Sequence, residues 1–138
     1  MNVELKPGQR RTLQSQVPGN EEYFIVNWRI SSRPRAWRPP TDVYEHDDKI
    51  VVRVEIAGMN ESDFAISLDQ NILTIRGVRS DVTERRAYHQ MEINFGEFAT
   101  AVEILIPIDT QNVHAEYQNG FLWVYLPKAQ PKHIKING

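Results

Sequence analysis

Cysteine is absent from the 138 residues, which excludes disulfides, Cys-ligated zinc, iron–sulfur clusters and thiol nucleophiles and fits a reducing compartment. Long hydrophobic runs are missing as well. No stretch approaches the roughly 18 uncharged residues of a membrane-spanning helix, and residues 1–11 hold no apolar leader core, so a cytoplasmic protein without stable membrane insertion is expected. Catalytic motifs are equally scarce. There is no G-x-S-x-G elbow and no G-x-x-x-x-G-K-[ST] loop, and His46, His89, His114 and His133 show no metal-ligand spacing. Asp47-Asp48 reads as a solvated turn. Neither an enzyme, a metal nor a cofactor is expected.

The formal net charge is only -2, but it hides two unlike parts. Residues 1–40 carry seven bases against three acids (+4) and five of the eight prolines; the rest carries nine bases against fifteen acids (-6). A Pro- and Arg-bearing arm of this kind buries too little apolar surface to fold alone, so it is expected to be partly disordered. One stretch within it differs: Tyr23, Phe24, Ile25, Val26, Trp28 and Ile30 are six large apolar residues in eight positions. Asn20 suits a helix cap there, whereas the β-branched run suits a strand, and packing onto the domain competes evenly with intermolecular use.

From residue 42 the spacing is that of strands. Ile50, Val52, Val54 and Ile56 alternate with Val51, Arg53, Glu55 and Ala57, the period of a half-buried strand. Residues 43–46 read as a short strand before it. Phe64, Ile66 and Leu68 lead through the turn Asp69-Gln70-Asn71 into residues 72–76, a hairpin; Val102, Ile104 and Ile106 alternate in a strand over 101–106. Residues 113–117 run into Asn119-Gly120, a strong hairpin signal, and then into residues 121–126, stopped by Pro127. Short strands at this spacing, with no helical stretch, predict an all-β sandwich.

Two further features concern association. Both faces of the last strand are apolar, Phe121, Trp123 and Tyr125 on one side and Leu122, Val124 and Leu126 on the other, so one face fills the sandwich and the other needs a cover. The tail after Pro131 places Ile134 and Ile136 two apart on one side of an extended segment, a two-pronged shape suited to a groove along a sheet edge.

At these residues the chain resembles the small heat shock proteins, the Hsp20 or α-crystallin family. Residues 115–127, A-E-Y-Q-N-G-F-L-W-V-Y-L-P, match the signature A-x-x-x-N-G-[VL]-L-x-[VI]-x-[LV]-P with Phe121 in the Val or Leu slot, and Trp37-Arg-Pro-Pro-Thr-Asp-Val-Tyr-Glu, Leu73-Thr-Ile-Arg-Gly77, Gly96-Glu-Phe98 and Ile134-x-Ile136 agree in order and spacing. The resemblance covers about residues 37–136. It implies an immunoglobulin-like β-sandwich, with residues 1–40 as arm, 41–128 as α-crystallin domain and 129–138 as C-terminal extension. It implies ATP-independent holding of unfolding client proteins by a dynamic homo-oligomer built from dimers.

The resemblance also implies roles. Ile134 and Ile136 are the oligomer anchor, received between two edge strands of a neighbour that map to Phe64, Ile66, Leu68 and Val102, Ile104, Ile106. Tyr23, Phe24, Ile25, Val26, Trp28 and Ile30 fall on the client-binding arm. The loop residues Val82, Arg85 and Arg86 pair with the opening strand, Val43, Tyr44, Glu45 and His46, of a second copy. Two rivals compete: a p23-like co-chaperone adaptor, which shares the sandwich but lacks such a tail, and a nucleic-acid-binding arm on Arg29 to Arg38, disfavoured by the acidic body.

Overall fold

The computed structural model describes residues 1–5 and 36–130. In chain order the strands are β1 (Val3–Leu5), β2 (Thr41–Glu45), β3 (Lys49–Glu55), β4 (Phe64–Asp69), β5 (Ile72–Arg79), β6 (Gly96–Glu103), β7 (His114–Gln118) and β8 (Phe121–Pro127). Their abundance of Val, Ile and aromatic residues at alternate positions suits a pleated, half-buried surface. The described helical segments are two three-residue 3-10 turns, Glu61–Asp63 and Thr110–Asn112.

The strands form two four-stranded sheets, ordered β1-β4-β5-β6 and β2-β3-β8-β7. Among the described residues the strand pairings are antiparallel except β1 with β4, which is parallel, as is the isolated bridge between Trp37 and Phe98. Ile50, Val52 and Val54 of β3 and Leu122, Val124 and Leu126 of β8 share one core with Ile66 and Leu68 of β4 and Leu73 and Ile75 of β5. Each such side chain contributes roughly 1.5–3 kcal/mol by leaving water, so the core is carried by the residues whose alternation predicts it. The β7–β8 turn bears Asn119 and Gly120 at φ 53° and 81°, the paired positive angles of a two-residue hairpin.

Three boundaries differ from expectation. β5 does not stop before Gly77 but continues to Arg79, with Gly77 opposite Phe98 of β6. A Cβ at Gly77 would lie 2.5 Å from Phe98 Cζ and 2.9 Å from the Asp63 carbonyl oxygen, so this glycine is there for a close approach inside a strand. β6 begins at Gly96 and ends at Glu103, earlier than the strand expected over 101–106. The chain turns off there because the Ile104 N–H donates to the Asn71 carbonyl at 2.6 Å, which buries Ile104 and leaves Leu105 81% exposed. Finally, the arm is not wholly separate from the domain: residues 1–5 supply β1, and residues 36–40 run along the sandwich.

Candidate assembly interface

Two sheets have four outer edges, and an unpaired edge offers a row of backbone donors and acceptors to any extended chain. In the first sheet both edges carry a cover. β1 lies on β4 with Val3 opposite Ile66, Glu4 opposite Ser67 and Leu5 opposite Leu68. At the other edge the Trp37 N–H donates to the Glu97 carbonyl and the Ala99 N–H donates to the Trp37 carbonyl, both at 3.0 Å. In the second sheet, β2 and β7 have no strand on their outer sides among the described residues.

The β2 edge carries the residues expected to contact a second copy. Val43 is 48% exposed, Tyr44 meets His46 edge-on with ring centroids 5.4 Å apart, and Glu45 is ion-paired with Lys128. The other expected contacts, Val82, Arg85 and Arg86, lie in the irregular segment 80–95 between β5 and β6, which forms no strand in the single chain. Its apolar side chains face water: Val82, Met91 and Ile93 are each about two-thirds exposed, at 69%, 68% and 66%. Local bonds nonetheless give it shape. Arg86 is held to Asp81 at 3.1 Å and Glu84 at 3.0 Å, and it donates to the Val82 carbonyl at 3.1 Å and the Tyr88 hydroxyl at 2.8 Å.

Burial alone would raise the Asp81 pKa, but the bond from Arg86, the Val82 N–H and the Tyr88 hydroxyl together hold it below its usual value. At the base of the loop, Arg79 donates to the carbonyls of Asn94 (2.9 Å) and Ala57 (3.2 Å) while its guanidinium lies over Trp37 at 4.6 Å and Phe95 at 5.4 Å. Arg79 thereby joins loop, opening segment and second sheet at one point.

The expected tail groove is corrected by the topology. Phe64, Ile66 and Leu68 lie on β4 and Val102 on β6, with β5 between them, so the two strands cannot form one edge groove. Ile104 and Ile106 lie beyond β6. Across the sandwich from the start of β4 stands Tyr117 of β7, the edge of the opposite sheet: the Phe64 and Tyr117 rings are 5.0 Å apart, and Tyr117 donates to the Ile56 carbonyl at 2.7 Å and accepts from the Met59 N–H at 3.3 Å. The error has a clear source. Alternation identifies a strand but not its neighbour.

The apolar outer face of β8 finds its cover within the chain. Arg53 spans Tyr44 and Trp123, 5.5 Å from each ring, and is ion-paired with Asp42. Lys49 sits 5.9 Å over Tyr125, and His114 stacks on the same ring at 4.9 Å. Burial, with a 2.8 Å bond donated to Glu116, pushes the Tyr125 phenol up to about 12. Val51, in the register between Tyr44 and Tyr125, is consequently buried although it faces outward. Inside, the fully buried Thr100 hydroxyl lies 2.9 Å from the Thr41 hydroxyl and accepts from Arg38 Nε at 3.2 Å, tying residues 38–41 to β6.

Among the described residues no group of three or more His, Asp or Glu side chains is placed to hold a metal ion, and no helix is long and apolar enough to cross a membrane. The positions expected to bind clients, Tyr23, Phe24, Ile25, Val26, Trp28 and Ile30, and the expected anchor residues Ile134 and Ile136 lie outside the described residues. β1 is the element that sequence reasoning missed. Its signal was the apolar–charged–apolar order of Val3-Glu4-Leu5, the same order as in Ile134-Lys135-Ile136.

Residues 42–137 match the family model described as Hsp20/alpha crystallin family. The chain belongs to that family. Small heat shock protein C2 of Rickettsia felis is 31% identical over 113 residues, covering 78% of this chain and 73% of the relative. Heat shock protein 16 of Schizosaccharomyces pombe is 32% identical over 109 residues, 74% of each chain. Among solved structures, heat shock protein 16.0 from Schizosaccharomyces pombe superposes with TM-score 0.60 at 30% identity, covering 72% of this chain and 98% of that one. HspA from Xanthomonas axonopodis gives 0.62 at 28% identity, covering 67% and 94%. The sandwich is therefore an α-crystallin domain, and membership of the Hsp20 family makes this a chaperone and not an enzyme.

Proposed function

We propose that this Hsp20-family chain is an ATP-independent holdase of the cytoplasm. It captures unfolding proteins before they aggregate, as a dynamic oligomer built from dimers. The observation that carries the reading is the pairing of open β-edges with exposed apolar side chains: β2 and β7 lack outer partners among the described residues, while Val82, Met91, Ile93 and Leu105 stand in water. Such a surface suits reversible association with other chains.

In this reading the β2 edge with Val43, Tyr44, Glu45 and His46 receives the Val82, Arg85 and Arg86 segment of a second copy. The tail's Ile134 and Ile136 dock on Phe64, Ile66 and Leu68 of β4, on the side where Tyr117 of β7 stands. The apolar cluster Tyr23, Phe24, Ile25, Val26, Trp28 and Ile30 engages clients. Two isoleucines give roughly 3–6 kcal/mol of gross burial. Ordering of the tail and lost rigid-body freedom offset most of it, so one contact is reversible while several in an oligomer hold. The test is light scattering of a heat-labile client at its unfolding temperature. Suppression at equimolar ratio, equal with and without ATP, is expected; undiminished aggregation, or suppression only with ATP, contradicts the reading.

A further inference from the structure

A β-strand has two edges, and in β4 one of them is taken by β5 over the whole of residues 64–69. The remaining edge is held by β1, with Val3 against Ile66 and Leu5 against Leu68. Ile66 and Leu68 are also the positions to which the proposed docking assigns Ile134 and Ile136. One backbone edge pairs with one strand at a time, so β1 and a docked tail exclude each other at these residues.

The two segments match in form. Val3-Glu4-Leu5 and Ile134-Lys135-Ile136 each place two aliphatic residues two apart in sequence around a charged one, the spacing that in an extended strand puts both aliphatics on one face. In β1 the inward side chain is engaged, since Met1 and Val3 pack against the core cluster. Yet the element is only three residues long, it pairs with β4 in parallel, and Leu5 remains 43% exposed. Those features describe a cover that holds and releases easily.

From this we infer that β1 is a built-in competitor for the β4 edge: it closes the edge in the free subunit and must unpair before the tail of a second copy docks. The inference rests on the proposed tail docking. Physically it answers the edge problem, because a subunit without its neighbour would otherwise offer β4 to any extended chain. Being in the same chain, β1 acts at an effective concentration on the order of mM, so a weak three-residue pairing still competes with a tail supplied at micromolar concentration. The apparent tail affinity is then reduced by the fraction of subunits with the edge open, and chain concentration, through tail supply, sets how much of the edge is exchanged.

The test uses the full chain carrying Ile134→Gly and Ile136→Gly, so that its own tail does not compete, titrated with a fluorescent peptide of residues 131–138. The same titration is run with Val3→Ser and Leu5→Ser added, and with residues 2–5 deleted should the serine variant lose its far-ultraviolet circular dichroism. With β1 paired about nine-tenths of the time, disabling it tightens peptide binding about tenfold. By reciprocity, the peptide also speeds amide exchange at residues 3–5. Equal affinity with and without β1, with the peptide bound, overturns the competition and leaves the tail docking standing. No binding by either chain overturns both.

Discussion

Gly77→Ala is the sharpest probe of the packing that brings β5, β6 and the opening segment together. The new methyl carbon would lie 2.5 and 2.8 Å from Cζ and Cε2 of Phe98 and 2.9 Å from the Asp63 carbonyl oxygen, about 1 Å inside an ordinary carbon–carbon contact. Phe98 has nowhere to go: it is 2% exposed and packed between Trp37 and Phe64, with centroids 5.8 and 6.2 Å away. At an unconstrained strand site, Gly→Ala would stabilise by about 0.4–1 kcal/mol through the unfolded chain. Here overpacking reverses the sign, and a loss of about 2–3 kcal/mol is expected. Phe98→Leu removes the colliding ring atoms and costs roughly 1–2 kcal/mol alone. In its background Gly77→Ala becomes cheaper by at least about 1 kcal/mol, part of the clash with the Asp63 carbonyl remaining. Urea unfolding of the four chains at one fixed concentration, on the Ile134→Gly/Ile136→Gly background to hold assembly constant, reads this coupling. Additive costs, within about 0.5 kcal/mol, refute the reasoning.

Two other expectations follow from single contacts. Thr100→Val keeps the shape but removes the buried hydroxyl shared with Thr41 and Arg38, and should cost about 1–2 kcal/mol in urea unfolding because Arg38 Nε loses its acceptor; no measurable loss refutes the network's contribution. Arg79→Lys keeps the charge but loses the planar group that stacks on Trp37 and Phe95 and donates to Asn94 and Ala57. Amide exchange over residues 80–95 should rise roughly tenfold with β3 and β8 unchanged; a uniform rise across the domain would show that Arg79 supports global stability instead of the loop.

The parts of the fold written in local pattern were legible before the structure. Alternation located β3, β4 and β8 within a residue or two, and Asn119-Gly120 marked the β7–β8 hairpin because only its backbone chemistry tolerates two positive φ angles in succession. Pattern failed where long-range geometry decides. Gly77 looks like a strand end in sequence, and only the Phe98 ring reveals why it lies within one. Nothing local says that β4 faces β7 instead of β6, since strand order depends on which hairpins fold over which. β1 was hidden by its neighbours: three residues of alternation ahead of a Pro- and charge-rich stretch carry little signal, and their pairing spans some sixty residues of chain. The outer face of β8 needed a cover by any reading, but that Arg53, Lys49 and His114 provide it depends on cross-strand register.

The central claim is that this small domain works as one subunit of a larger, edge-joined assembly. Native mass measurement of the full chain beside its Ile134→Gly/Ile136→Gly variant, at the same concentration and before and after heating, tests it most directly. The account predicts a multi-subunit assembly for the unaltered chain and collapse to dimers in the variant, with the circular dichroism of the sandwich retained. The same mass for both chains, or a monomer in both, contradicts it.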